Sequence, residues 1–249
     1  MKKCFFYNLK LFFMRKPTLI FMLLGIMLIP SLVKAQRFRA SLDIGLSKSV
    51  LNSDVSNLAN TCYETKTGVA TGVNFEYNLF QDFVVGTGLR FMQRNYEYRK
   101  TDHITGTHTL YENNFINIPL NVGLYIINNP YKEKGIWLKL QAGLFYEYFT
   151  RMHRQGDYPV FAQLQEDNSF ISMRVSETYD FGKNENNLKR NLFGIEGKGE
   201  IGCSFRNIDV FASYTYQYGF SDIYKAKTSS NRKSNRISSI ISLGIAYKF

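Results

Sequence analysis

Between residues 37 and 46 apolar side chains fall at Phe38, Ala40, Leu42, Ile44 and Leu46, with Arg39, Ser41, Asp43 and Gly45 between them. Strict alternation of this kind places one face of a strand in an apolar environment; a helix, with its 3.6-residue repeat, cannot produce it. Seven further runs repeat the pattern, at 69–79, 83–91, 116–126, 136–148, 193–205, 208–218 and 237–249. No position in the apolar phase of the eight runs is charged. The interleaved phase carries Arg39, Asp43, Glu76, Arg90, Lys139, Glu147, Glu196, Lys198, Glu200, Asp209 and Lys248. One uncharged face and one ionic face, kept through eight segments, predict an all-β chain.

Alternation fits two architectures. In a soluble sandwich the apolar face is the interior; in an outer-membrane barrel it meets lipid and the polar face lines the lumen. The spacing of the runs favours the barrel. Short links (80–82, 127–135 and 206–207) alternate with long ones (47–68, 92–115, 150–192 and 219–236). Barrels have short periplasmic turns and long external loops, whereas a Greek-key sandwich has no reason to keep that order. Aromatic residues gather at both ends of the runs. Phe38, Tyr77, Phe83, Phe205, Tyr247 and Phe249 lie towards the short links, and Phe91, Tyr146, Tyr148, Phe193, Tyr216 and Tyr218 towards the long ones. Amphipathic rings favour the two membrane interfaces. The chain closes on Tyr247-Lys248-Phe249, with both rings in the apolar phase. Such an ending resembles the C-terminal signal by which outer-membrane proteins are recognised for insertion. The prediction is an eight-stranded antiparallel up-and-down transmembrane β-barrel over residues 36–249.

The first 35 residues read differently. Arg15 and Lys16 precede an apolar run at 18–30, and a small residue, Ala35, follows shortly before Gln36. A basic segment, a short apolar core and a small residue at the cut predict a cleaved signal peptide over residues 1–35; a start at Met14 would give it an ordinary length. The run is shorter than the roughly 20 residues a spanning helix needs. No later stretch reaches 18 consecutive apolar residues, which excludes a helical membrane protein. The net charge of +11 owes six of its basic residues, and no acid, to this segment, so the mature chain carries only +5. Nucleic acid is therefore not indicated as a partner. Cys62 falls in the first long link and Cys203 on the apolar face near a short one. Opposite sides of a bilayer exceed the roughly 7 Å Cα limit for a disulfide, so no bridge is expected.

Asn114-Phe115-Ile116-Asn117-Ile118-Pro119-Leu120-Asn121-Val122-Gly123-Leu124, the stretch Tyr218-Gly219-Phe220-Ser221-Asp222-Ile223 and the terminal run together resemble the PorT-like family of outer-membrane β-barrel proteins. The resemblance spans roughly residues 36–249. It implies an outer-membrane barrel. The member that gives the family its name belongs to a protein-secretion apparatus, which makes an accessory secretion role one alternative function. Pro119 would remove a ladder hydrogen bond from a closed barrel, and a bulge or kink is expected there.

The residues offer no catalytic set. An eight-stranded barrel is just wide enough to be filled by side chains. Its lumen charges Arg39, Asp43, Glu76, Arg90, Lys139, Glu147, Glu196, Lys198 and Glu200 are expected to pair as a structural network, since buried charges need partners. The row Glu196-x-Lys198-x-Glu200 places two carboxylates on one face, but the lysine between them points to pairing rather than acid–base work. A narrow channel is the second alternative. His103, His108 and His153 are the three histidines, all in long links, and no GxSxG, HExxH or CxxC motif accompanies them. No enzyme activity, cofactor or metal site is assigned. The expected partners are outer-membrane lipid, the insertion machinery reading Tyr247 and Phe249, and an external ligand or envelope protein bound through residues 150–192.

Overall fold

The computed structural model describes residues 37–53, 61–80, 82–100, 108–131, 134–164, 170–183, 188–223 and 234–249. The expected signal peptide and His103 lie outside the described residues. Among the described residues there are ten strands: β1 (Phe38–Ser53), β2 (Thr61–Phe80), β3 (Phe83–Gln93), β4 (Tyr96–Lys100), β5 (His108–Ile127), β6 (Gly135–Leu164), β7 (Phe170–Thr178), β8 (Asn191–Phe205), β9 (Ile208–Gly219) and β10 (Ser234–Lys248). Every pairing is antiparallel. Eight strands close a ring in the order β1, β2, β3, β5, β6, β8, β9, β10 and back to β1. No helix among the described residues is long and apolar enough to cross a membrane.

The ring turns its apolar phase outward. Ile44, Ile136, Ile241 and Leu243 are each more than 60% exposed on the bare chain, while Arg39 and Lys139 are fully buried. This apolar surface continues around all eight strands, far beyond the few hundred Å² that a soluble monomer exposes. Closure leaves no backbone edge within the band, which hydrocarbon would penalise by several kcal/mol per unpaired group.

Two strands go beyond the expected eight. The sequence marks 92–115 as a loop and 150–192 as a long link able to hold a small hairpin above the membrane; much of both is strand, and the hairpin is β6–β7. β4 resumes the line of β3 after Arg94 and Asn95, pairing with β2 and β5. β7 folds back on the upper half of β6. With 30 residues, β6 is about three times the 9–11 that a tilted membrane strand needs. Its upper half lies above any bilayer, where neither face meets lipid. Both faces there can be polar, so the alternation that marks a membrane strand disappears while the hydrogen-bond ladder continues.

The short links are tight. Arg206 takes a left-handed φ of 55° in the turn between β8 and β9. The turn between β5 and β6 folds under the barrel: the Asn129 side chain donates to Asp82 at 3.1 Å, and Lys248 Nζ donates to the Pro130 carbonyl at 2.7 Å. At Pro119, where a bulge or kink is expected, the structure shows a gap in the β3–β5 ladder and no bulge. β3 and β5 pair as far as Thr87 opposite Leu120 and resume at Arg90 opposite Asn117 without a register shift. Thr87 Oγ1 donates to the Pro119 carbonyl at 2.8 Å within this gap. The bulges of β5 fall instead at Asn114/Phe115 and Tyr125/Ile127.

Candidate functional site

The interior is layered. At the short-turn end Val84, Tyr125, Trp137, Phe211 and Ala246 form an apolar floor. Glycines make room for the rings. A Cβ at Gly202 would lie 2.5 Å from Trp137, and one at Gly244 would lie 2.4 Å from Phe211. Both pairs are cross-strand neighbours or nearly so, Trp137 directly opposite Gly202 and Phe211 opposite Gly244.

Above this floor lies the ionic section. Arg39 rests its guanidinium 4.9 Å from the Trp137 ring centre and 4.8 Å from that of Phe211. It pairs with Glu76 at 2.7 Å, Glu200 at 3.3 Å and Asp209 at 3.2 Å. Lys139 joins Glu76 at 2.5 Å and Glu200 at 2.6 Å. Lys198 reaches Glu200 at 2.5 Å, and Lys248 reaches Asp209 at 3.0 Å. A second group sits nearer the long-loop end. Glu196 accepts from Asn121 at 2.6 Å and Gln217 at 2.5 Å, with Arg90 at 3.8 Å. Glu147 pairs with Arg94 and, at 3.5 Å, with Arg236. Asp43 accepts from Asn74 at 2.6 Å. A residual space of 10 Å³ lies among Asn74, Glu76, Pro119, Asn121, Gln141 and Lys198, enough for about one water.

The far mouth is capped. Tyr96, Phe115, Phe149, Phe181, Leu188, Leu192 and Ile223 form a second apolar cluster. Phe181, Leu188 and Ile223 come from the links after β7 and β9, not from the ring. Backbone bonds seat them: Lys189 N–H donates to the Ile223 carbonyl at 2.8 Å, and Phe149 N–H to that of Arg190 at 2.8 Å. Arg236 stacks 4.3 Å from the centre of Phe115, and Arg190 4.6 Å from that of Phe181.

Beyond the cap, β4, β7 and the upper parts of β2, β5 and β6 form a sheet extension. One of its faces carries Tyr96, Tyr111 and Met152 against the cap. The registers place Glu97 beside Leu110, Leu110 beside Gln155 and Gln155 beside Ser176, and paired residues share a face. This row belongs to a cleft of 770 Å³ that also takes in Lys66, His108, Glu112, Asp157 and Arg174. Glu97 binds Lys66, and accepts from Arg99 Nε at 2.9 Å. Burial raises the Glu97 carboxyl, but the bonds from Arg99 and Lys66 outweigh it and hold the group below its ordinary 4.5.

Residues 34–225 match the outer membrane protein beta-barrel domain family. The chain belongs to that family. This barrel is an outer-membrane protein, and the end carrying the short turns and both ends of the ring corresponds to the periplasmic side of such barrels. No curated protein matches it. Among solved structures it is similar to Neisserial surface protein A, with 14% identity and a TM-score of 0.43 over 85% of this chain and 97% of that one. It is also similar to Ail of Yersinia pestis, at 13% identity and a TM-score of 0.39 over 85% and 99%. OprG of Pseudomonas aeruginosa gives 9% identity and a TM-score of 0.45 over 86% and 96%.

All nine charges singled out from the sequence are buried inside this outer-membrane barrel. The structure brings Arg39, Glu76, Lys139, Lys198 and Glu200 into one group, puts Arg90 beside Glu196 in another, and joins Glu147 to two further arginines. Those two, Arg94 and Arg236, were not among the sequence candidates because both fell in expected links. Each keeps the inward phase of its neighbours, Arg94 with Arg90 and Arg236 with Ser238; carrying the alternation four residues past Arg90 and two residues before Ser238 would have found them. The neutral partners Asn74, Asn121, Gln141 and Gln217 carried no charge signal. Tyr247 and Phe249 lie outward with ring centres 5.0 Å apart, and Phe249 N–H donates to the Phe38 carbonyl at 3.0 Å. Cys203 is a free thiol opposite Val210 near the short-turn end, and Cys62 pairs with Arg99 in the extension. His108 and His153 stand on β5 and β6 of the extension, and no cluster of three metal-ligating side chains occurs among the described residues.

Proposed function

We propose that this outer-membrane barrel acts through its sheet extension as an external binding element, with the ring as its anchor and the lumen as a structural plug. The observation that carries this reading is the contrast between the two spaces. The space among the ionic side chains of Glu76 and Lys198 holds 10 Å³, whereas the extension opens a 770 Å³ cleft within the size range of ligand sites. No catalytic role is assigned. Within the family, the chain is placed with the PorT-like proteins on its Ile118-Pro119-Leu120 strand, the Tyr218–Ile223 stretch and the terminal run. Residues 1–35 serve as a signal peptide cut between Ala35 and Gln36, and Tyr247 and Phe249 as the insertion signal.

An allele in which the β6–β7 hairpin is replaced by a short turn tests the reading without knowledge of the ligand. The shortened barrel is expected to accumulate in the outer membrane, yet to give the same phenotype as deletion of the whole gene. Full complementation by the shortened allele would refute the reading. Proteomics of the culture medium separates the alternative: loss of many exported proteins would assign the chain to secretion. Planar-bilayer recordings are expected to be silent, and stepwise currents would replace the plug with a channel.

A further inference from the structure

The cleft above the cap has a chemistry that narrows its ligand, granted that the extension is the binding element. Its floor is one face of four strands. From the usual strand spacing and residue rise it measures about 14 Å across β4 to β7 and about 14 Å along them. Three carboxylates, Glu97, Glu112 and Asp157, line it against two full cations, Lys66 and Arg174. Glu97 is already matched by Lys66 and Arg99. Glu112 and Asp157 have no side-chain partner among the described residues. They stand at opposite ends of the floor, on neighbouring strands, with Gln155 between them and Arg174 beside Asp157.

Three ligand classes fit poorly. A lipid or other apolar molecule would find only Leu110 and Val175 among the lining side chains. A polyanion would meet two unmatched carboxylates. An extended peptide would need main-chain hydrogen bonds, and the backbone under the floor is paired strand to strand from β4 to β7, so that only the outer edge of β7, beside the floor and not on it, has no strand partner among the described residues. A saccharide carries its hydrogen-bonding groups on the rim of each ring and needs no backbone edge. Carboxylate, amide and guanidinium side chains are planar groups with two adjacent donor or acceptor positions, the spacing presented by neighbouring hydroxyls on a sugar ring. Ser176 and Thr67 add hydroxyls that serve as donor or acceptor. We infer that this cleft binds a neutral or amino-substituted oligosaccharide of about three sugar units, held chiefly by Glu112, Gln155, Asp157 and Arg174.

Calorimetry on the full barrel in lipid nanodiscs, free of sugar detergents, tests the inference with chitotriose and its de-N-acetylated trimer as probes. At least one is expected to bind, with affinity falling tenfold or more in E112A/Q155A/D157A. Heat-dependent gel mobility should show that this variant folds. Failure of both sugars to bind would overturn the inference. So would binding that the variant leaves unchanged, or preferential binding of a heparin hexasaccharide or trilysine. If neither sugar binds while the hairpin-less allele still behaves as a gene deletion, the saccharide is refuted and the extension keeps its role. A hairpin-less allele that complements removes both.

Discussion

Glu200 sits where three cations converge, with Lys139 at 2.6 Å, Lys198 at 2.5 Å and Arg39 at 3.3 Å. Buried pairs of this kind add little net stability compared with a well-packed apolar core, because desolvation consumes most of the Coulomb gain. Removing one partner is another matter, since it strands the opposite charges. Glu200→Gln is expected to destabilise the folded barrel by about 3–5 kcal/mol, read from urea unfolding in vesicles; a change within experimental error would show that the network is not cohesive. Trp137 offers a steric counterpart. Its ring occupies the place where a Gly202 Cβ would stand, 2.5 Å away, so Gly202→Val is expected to block folding or displace the indole, visible as a shifted emission maximum of the single tryptophan. At this scale the sequence disclosed the charged inward positions, because a charge on a lipid-facing strand is costly and its phase is therefore informative. It did not disclose which charges pair, since partners lie on strands far apart in the chain: Arg39 and Asp209 are 170 residues apart. Phe181, Leu188 and Ile223 were not legible as a cap, because links obey no period.

At the scale of elements, the membrane supplies the signal that sequence can read. Within the band, hydrocarbon forces one face of each strand to be apolar. The upper half of β6 escapes that demand: from Arg151 to Asp157 the sole apolar side chain is Met152, and the segment shows no alternation while it forms a ladder with β5 and β7. The extension also has its own electrostatic fastening, Glu97 held by Lys66 and Arg99 across β2 and β4. A carboxyl lowered in the folded state stabilises above its unfolded value, and loses that contribution as pH falls through the lowered one. The Glu97 side chain followed by carbon-13 NMR is therefore expected to titrate below 4.5, and fastening of β4 to β2 should persist through mild acid and weaken only beneath that point. A midpoint at or above 4.5 would contradict the ion-pair geometry.

The whole molecule is an apolar cylinder with a filled axis. An aromatic floor, an ionic section and an apolar cap follow one another from the short turns to the long links, and the extension stands above them. The division of labour between anchor and extension rests on the outward apolar face meeting lipid and the ionic face being enclosed. The single tryptophan gives a direct reading of that arrangement. In vesicles containing brominated lipid, native Trp137 should be shielded from the bromines, while L243W in a W137F background should be strongly quenched. Quenching of Trp137 by lipid, with the residue 243 probe untouched by bromine and open to aqueous iodide, would turn the barrel inside out.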